Sequence, residues 1–152
     1  MAIFQILTMF SKACEYAIKA SIYTAQQNLS ESRVNVKEIA RAIDAPEAFT
    51  AKILQQLCKA DVMQSVRGKQ GGFFISSEKM QETKIYDIIT IIDGDSIFVT
   101  CALGLKECSS TNPCPVHNEF RHVRERLIEM ASKYTLMDLA LRTEEGLFRL
   151  RV

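Results

Sequence analysis

Three cysteines and a histidine stand at short intervals in this chain: Cys101-x6-Cys108-x5-Cys114-x2-His117. Gly104, Pro113 and Pro115, with Ser109, Ser110, Thr111 and Asn112, keep the segment from being helix or strand throughout. It reads as an ordered loop. Thiolates and imidazole are the soft donors that iron–sulfur clusters or zinc require, and a loop can converge them without placing them on one helical face. His117 opens an expected long helix, whose free N–H groups and partial positive charge favour an anionic group. Pro113 and Pro115 stiffen the loop and reduce the entropy lost on binding. Three readings follow from the residues. An iron–sulfur site comes first. A Cys3His zinc site comes second, although the paired C-x2-C knuckles common in zinc sites are absent. A cluster-free thiol switch comes third. Cys14 and Cys58 lie in helical patterns and read as small buried hydrophobes.

The rest of the sequence must position that loop. With 152 residues, 47% apolar and 24% charged, the chain can bury a core as one compact unit. The net charge of +1 excludes a molecule that binds nucleic acid through overall charge. The basic end is nonetheless the N-terminal one. Residues 1–80 hold ten Lys/Arg against seven Asp/Glu, and residues 81–152 hold nine against eleven. No segment reaches the roughly 18–20 apolar residues of a membrane span, and the opening MAIFQILTMF lacks the basic region of a signal peptide. Five cysteines is an odd number that suits a disulfide framework poorly. A cytoplasmic protein with no membrane partner is the expectation.

Residues 1–8 read as a short strand or arm. A helix is expected from Ser11 to about Gln27, with Phe10, Ala13, Cys14, Ala17, Ile18 and Ser21 near one face. Asn35 and Glu38 form a capping box for a short helix over 36–42. After a tight turn at 43–45, Pro46 suits the first position of a third helix reaching Ala60, with Phe49, Ile53, Leu54 and Leu57 as its buried stripe. The period then changes. Val62–Val66 and Phe73–Ser76 read as strands around a basic, glycine-rich tip, 67–72. A fourth helix spans about 84–92, a long one about 116–134, and Thr135 with Asp138 caps a last one. Along the long helix Phe120, Val123, Leu127, Met130 and Tyr134 recur at intervals of three and four, a short coiled-coil seam suited to a two-fold dimer. Arg121, Arg124 and Arg126 are expected to pair with Glu119, Glu125 and Glu129. His122 reads as a surface residue.

Helix, helix, tight turn, helix and basic hairpin is the order of a winged helix-turn-helix. The expected fold is therefore mainly α with a small β-hairpin wing and a long C-terminal dimerisation helix. Residues 1–80 would form the DNA-binding region, and residues 81–152 the cluster loop and dimer helix. In such a design the third helix enters the major groove and the wing reaches phosphates or the minor groove. Candidate DNA contacts are Glu47, Ala48, Ala51 and Lys52 on the helix and Arg67, Gly68, Lys69 and Gln70 on the wing. With two alanines among them, thymine-methyl contact and phosphate positioning would outweigh direct readout. A winged helix that serves only as a protein-interaction scaffold is the plainer alternative. Enzyme motifs such as G-x-S-x-G, the P-loop, H-E-x-x-H and G-x-G-x-x-G are missing, so an enzyme is not expected.

The segment from Met9 to Ala20, the helix from Pro46 to Ala60, the wing from Ser65 to Phe73, Ile85–Ile89, the cysteine loop and Thr135–Ala140 together resemble the IscR/NsrR family of iron–sulfur winged-helix regulators. The likeness spans roughly residues 9–140. It implies a homodimeric transcription factor, a repressor, that binds a palindromic operator in double-stranded DNA. It would sense redox state, nitric oxide or iron–sulfur status through a bound cluster, 2Fe–2S in preference to 4Fe–4S. Cys101, Cys108 and Cys114 match the family's ligands. His117 matches the histidine fourth ligand of one branch, and Glu15 matches the acidic first-helix ligand of another, which a partner subunit could supply. His117 is preferred. Without the family, Glu15 is a solvated carboxylate. The first cysteine gap, six residues, is one longer than the IscR-like pattern, and residues 1–8 precede the usual family start. An electron-transfer protein with an incidental winged helix remains the rival outside DNA binding.

Overall fold

The computed structural model describes residues 9–146 and Leu150; the expected arm over 1–8 lies outside them. Among the described residues, eight helices and one hairpin follow in the order α1 (Lys12–Asn28), α2 (Val36–Ile43), α3 (Glu47–Lys59), β1 (Gln64–Val66), β2 (Gly72–Phe74), α4 (Ser77–Glu82), α5 (Ile85–Asp93), α6 (Ser96–Val99), α7 (His117–Lys133) and α8 (Leu136–Glu144). The architecture is mainly α with a two-stranded antiparallel wing.

Local chemistry sets the helix starts. Ser11 caps α1 by accepting the Cys14 N–H at 3.0 Å. Its own N–H and hydroxyl both donate to the Asp93 carboxylate at the end of α5. Asn35 and Glu38 close the expected capping box on α2, with bonds of 2.8 and 3.0 Å. Thr135 and Asp138 do the same for α8. The turn after α2 runs through Asp44 in the left-handed region, φ 54°, which a short polar side chain tolerates. Pro46 is the N-cap of α3, one place before the expected position; its extended ψ of 133° leaves Glu47 to begin the helix.

The strands pair Gln64 with Phe74, Ser65 with Phe73 and Val66 with Gly72. They are shorter than expected at both outer ends, because Val62, Met63 and Ile75 turn into the core. On its other side Phe73 exchanges two backbone bonds with Val34, 2.7 and 3.1 Å, which ties the wing to the turn before α2. Gly71 is sterically required here: a Cβ would lie 2.1 Å from the Val66 carbonyl oxygen.

α1 is the central helix, packed against α8, α5, α2 and α3. The main core gathers Ala17, Ala20, Ile39, Ile43, Ile53, Leu54, Leu57, Met63, Ile88 and Leu136. A second, smaller core joins Cys14 of α1, Ile89 of α5, Phe98 of α6 and Ala131 of α7. It lies three residues before Cys101, so the start of the cysteine loop is fixed by packing that α1 shares. The buried stripe of α3 differs from expectation. Thr50 is buried in place of Phe49, its hydroxyl donating to the Pro46 carbonyl at 2.9 Å, and Phe49 is 38% exposed. The sequence reading also missed α4 and α6, which have six and four residues and one fully buried side chain each.

Candidate metal centre and nucleic-acid interface

Residues 100–116 connect α6 to α7 and are held by their own polar groups. Gly104 N–H donates to the Cys101 carbonyl, and Cys108 N–H to that of Leu105. Asn112 and Ser109 exchange backbone bonds, and the Asn112 amide reaches the Glu107 carbonyl at 3.3 Å. From α7, Arg124 donates to the Thr100 carbonyl at 3.3 Å. Among the described residues Arg124 forms no ion pair with a glutamate; its guanidinium turns to the loop instead. Arg121 does pair with Glu125 at 3.8 Å and Arg126 with Glu129 at 2.8 Å. His122 is exposed, as expected.

This scaffold brings the three expected thiols together. The Sγ atoms of Cys101, Cys108 and Cys114 all lie within 4.8 Å of one another, and all three residues are half-buried. Cys101 and Cys114 are 3.8 Å apart. The Cys114 N–H points at the Cys108 sulfur at 3.4 Å. His117, first residue of α7, places Nδ1 3.2 Å from the Cys108 sulfur and so joins the group at one edge. Glu15 is not drawn in: its carboxylate pairs with Lys12 at 3.0 Å on the first turn of α1.

The thiols are not equivalent. Backbone N–H groups of Leu105 and Leu103, and the neighbouring thiols, stabilise the Cys101 thiolate and bring its pKa down to about 7. At Cys108 the Cys114 backbone bond acts in the same direction, but burial and the adjacent sulfurs outweigh it and push the thiol up. Burial pushes Cys14 up to about 12 and raises Cys58 as well; Cys14 is buried as expected, whereas Cys58 is only half-buried.

The expected DNA-contacting residues sit on two exposed ridges. Glu47, Ala48 and Lys52 are exposed on the first turns of α3 and Ala51 is half-buried. Arg67, Gly68, Lys69 and Gln70 are all exposed at the wing tip. Side chains missed from sequence shape this face. Arg33 donates to the Gln70 carbonyl at 3.4 Å and lies over the Phe74 ring, bracing the wing. Phe49 meets Tyr16 of α1 edge-on, ring centres 5.8 Å apart. Spacing could not reveal these pairs, since each joins side chains from different elements.

On α7, Phe120, Val123 and Met130 are exposed, while Leu127 and Tyr134 are half-buried. Phe120, Val123 and Leu127 border an open apolar groove that reaches Cys101 and Met9. No described helix is long and apolar enough to cross a membrane.

Comparison with known proteins agrees with this geometry. The Rrf2 family profile, described as an iron-dependent transcriptional regulator, matches residues 10–142. A candidate HTH-type transcriptional regulator of Aquifex aeolicus is 34% identical over 143 residues, covering 92% of this chain and 96% of the relative. The HTH-type transcriptional regulator NsrR of Oceanobacillus iheyensis is 24% identical, covering 88% and 90%. The solved structure of T. potens IscR superposes with a TM-score of 0.70 at 26% identity, covering 91% of this chain and 90% of that one. The relatives are regulators and not enzymes. Given the family match over most of its length and the winged-helix fold, the chain belongs to the Rrf2 family of helix-turn-helix transcriptional regulators.

Proposed function

We propose that this protein is a homodimeric, cytoplasmic repressor that binds a palindromic operator and senses redox state, nitric oxide or iron–sulfur status through a cluster on the 100–117 loop. The observation that carries this reading is the convergence of three half-buried thiols within 4.8 Å, with His117 beside Cys108. The donor set fits the group: three soft thiolates, an imidazole, and a backbone N–H already directed at sulfur. Cys101, Cys108 and Cys114 would hold the cluster with His117 as fourth ligand; Glu15 of a partner subunit is the alternative. A bound cluster supplies reversible one-electron chemistry and reactivity toward small oxidants. In this reading the cluster is a 2Fe–2S centre, with a 4Fe–4S centre as the alternative.

Residues 1–80 would read DNA, and residues 81–152 would hold the cofactor and the dimer seam. The path between them runs through contacts already described. The loop follows Phe98 of α6 and is tied to α7 by Arg124; Phe98 shares a core with Cys14 of α1, and α1 packs on α3. Rearrangement of the loop thus bears on the reading helix and on the groove along α7. A coupling of about 1–3 kcal/mol would change operator affinity about 5–150-fold.

The test is operator affinity of loaded and unloaded protein, together with Cys108→Ala. The variant should fold and dimerise but lose the visible chromophore and the response to the signal. A variant that responds as the parent does would remove the cluster from the sensing role. The distance of 3.8 Å between the Cys101 and Cys114 sulfurs supports a second reading, a cluster-free thiol switch that closes a disulfide on oxidation. In that case Cys108→Ala would leave the response intact, and Cys114→Ala would abolish it.

A further inference from the structure

The pairing of Tyr16 with Phe49 places two cations beside the reading helix that the wing and α3 do not account for. Tyr16 lies on the second turn of α1. The Lys12 ammonium sits 5.4 Å from its ring centre and that of Lys19 sits 6.0 Å away. The same ring meets Phe49, on the first turn of α3, edge-on at 5.8 Å. Both charges are therefore one aromatic ring away from the end of α3 that would enter the major groove. Lys12 has a side chain 64% exposed and one carboxylate partner, the half-buried Glu15 three residues along the same helix, a local pair of small net worth that a stronger anion can displace. Lys19 has no carboxylate partner among the described residues. Seven residues along a helix is about two turns, roughly 10 Å, so the lysines are spaced to meet separate phosphates.

We infer that Lys12 and Lys19 of α1 form a phosphate-binding ridge that holds the DNA backbone beside the groove entered by α3, with the Tyr16–Phe49 pair fixing their place. The inference rests on the DNA-binding reading of α3 and the wing. An α1 ridge of this kind positions the duplex and carries no sequence information. It also gives Phe49 a reason to be partly exposed on a helix whose other large apolar residues are buried. Its edge supports Tyr16, and Tyr16 supports the cations.

The experiment measures the salt dependence of binding by the full-length protein. The probes are a duplex recovered by the parent protein from a random pool and an unselected duplex of the same length. Each phosphate neutralised contributes about 0.9 to the slope of log affinity against log salt. The double variant Lys12→Gln, Lys19→Gln should flatten the slope by about 2. Between 50 and 200 mM salt the parent should then lose roughly tenfold more affinity than the variant. The ratio of selected to unselected affinity should stay unchanged. Lys12→Arg with Lys19→Arg should restore the slope, with circular dichroism matching the parent throughout. A slope equal to the parent's in the glutamine variant would overturn the ridge while leaving DNA binding intact. A fall in the selected-to-unselected ratio would mean that α1 reads bases and would overturn the phosphate assignment. A parent that bound neither duplex would overturn the DNA-binding reading and the ridge with it.

Discussion

At the scale of residues, the thiols of the loop differ because their hydrogen bonds differ. Cys101 faces N–H groups of Leu105 and Leu103 and has its pKa lowered to about 7, whereas Cys108 and Cys58 are raised. The thiolate is the nucleophile and the ligand, so Cys101 is half in its reactive form near neutral pH. In metal-free, reduced protein, iodoacetamide should label Cys101 before Cys108 and Cys58. The Cys101 rate should fall about tenfold for each pH unit below 7 and level off above it. Mass-spectrometric peptide mapping across pH 5.5–9 checks this; a rate at Cys101 still climbing steeply between pH 8 and 9 would contradict the assignment. The convergence of the three cysteines, with His117 beside them, was legible in the sequence because donor type and spacing are local properties. The inequality among them was not, since it comes from backbone N–H directions that only the folded loop defines. Phe49 shows the same limit: its spacing fits a buried stripe, and its partial exposure is decided by Tyr16 from another helix.

At the scale of elements, the sequence was most informative where one side chain closes a helix end. The boxes at Asn35 with Glu38 and at Thr135 with Asp138 form as expected, and α1, α2, α3, α5, α7 and α8 all begin within about two residues of their expected starts. α4 escaped notice because a six-residue helix that fully buries only Met80 shows no period. The wing was legible from its glycines, while strand length was not, because tertiary burial of Met63 and Ile75 ends the pairing. The cap on α2 holds the short helix that precedes the turn into α3. Asn35→Ala should cost about 1 kcal/mol, a fall of about 3 °C in Tm for a chain of this size, and Asn35→Gly only a few tenths. Thermal denaturation followed by circular dichroism checks both; an alanine variant as stable as the parent would show that the box contributes nothing.

At the scale of the whole molecule, two exposed surfaces of the described residues matter: the α3–wing face and the apolar stripe of α7. Val123 is 60% exposed and borders a groove that reaches Cys101, and Met130 is 48% exposed further along the helix. A large apolar patch of this kind marks an interaction site, and a second copy of α7 would cover it. A charge buried at such a seam is unpaired and costly. Val123→Glu should therefore weaken the dimer at least tenfold while leaving helix content unchanged. Sedimentation equilibrium checks it; a parent that is monomeric at micromolar concentration, or a variant that dimerises equally well, would contradict the proposed seam. This periodicity was visible in the sequence, whereas the central position of α1 was not, because Ala20, Ile22, Thr24 and Ala25 are buried beyond the one face that spacing marks. The central claim is that the loop carries an iron–sulfur cluster, and its most direct measurement is the visible absorption spectrum of anaerobically purified protein with iron and acid-labile sulfide counted per chain. A chain that holds the cluster is brown and contains both elements, with the colour lost in Cys108→Ala. A colourless protein lacking both, even after anaerobic reconstitution, would contradict it and leave zinc or a thiol switch on the same three sulfurs.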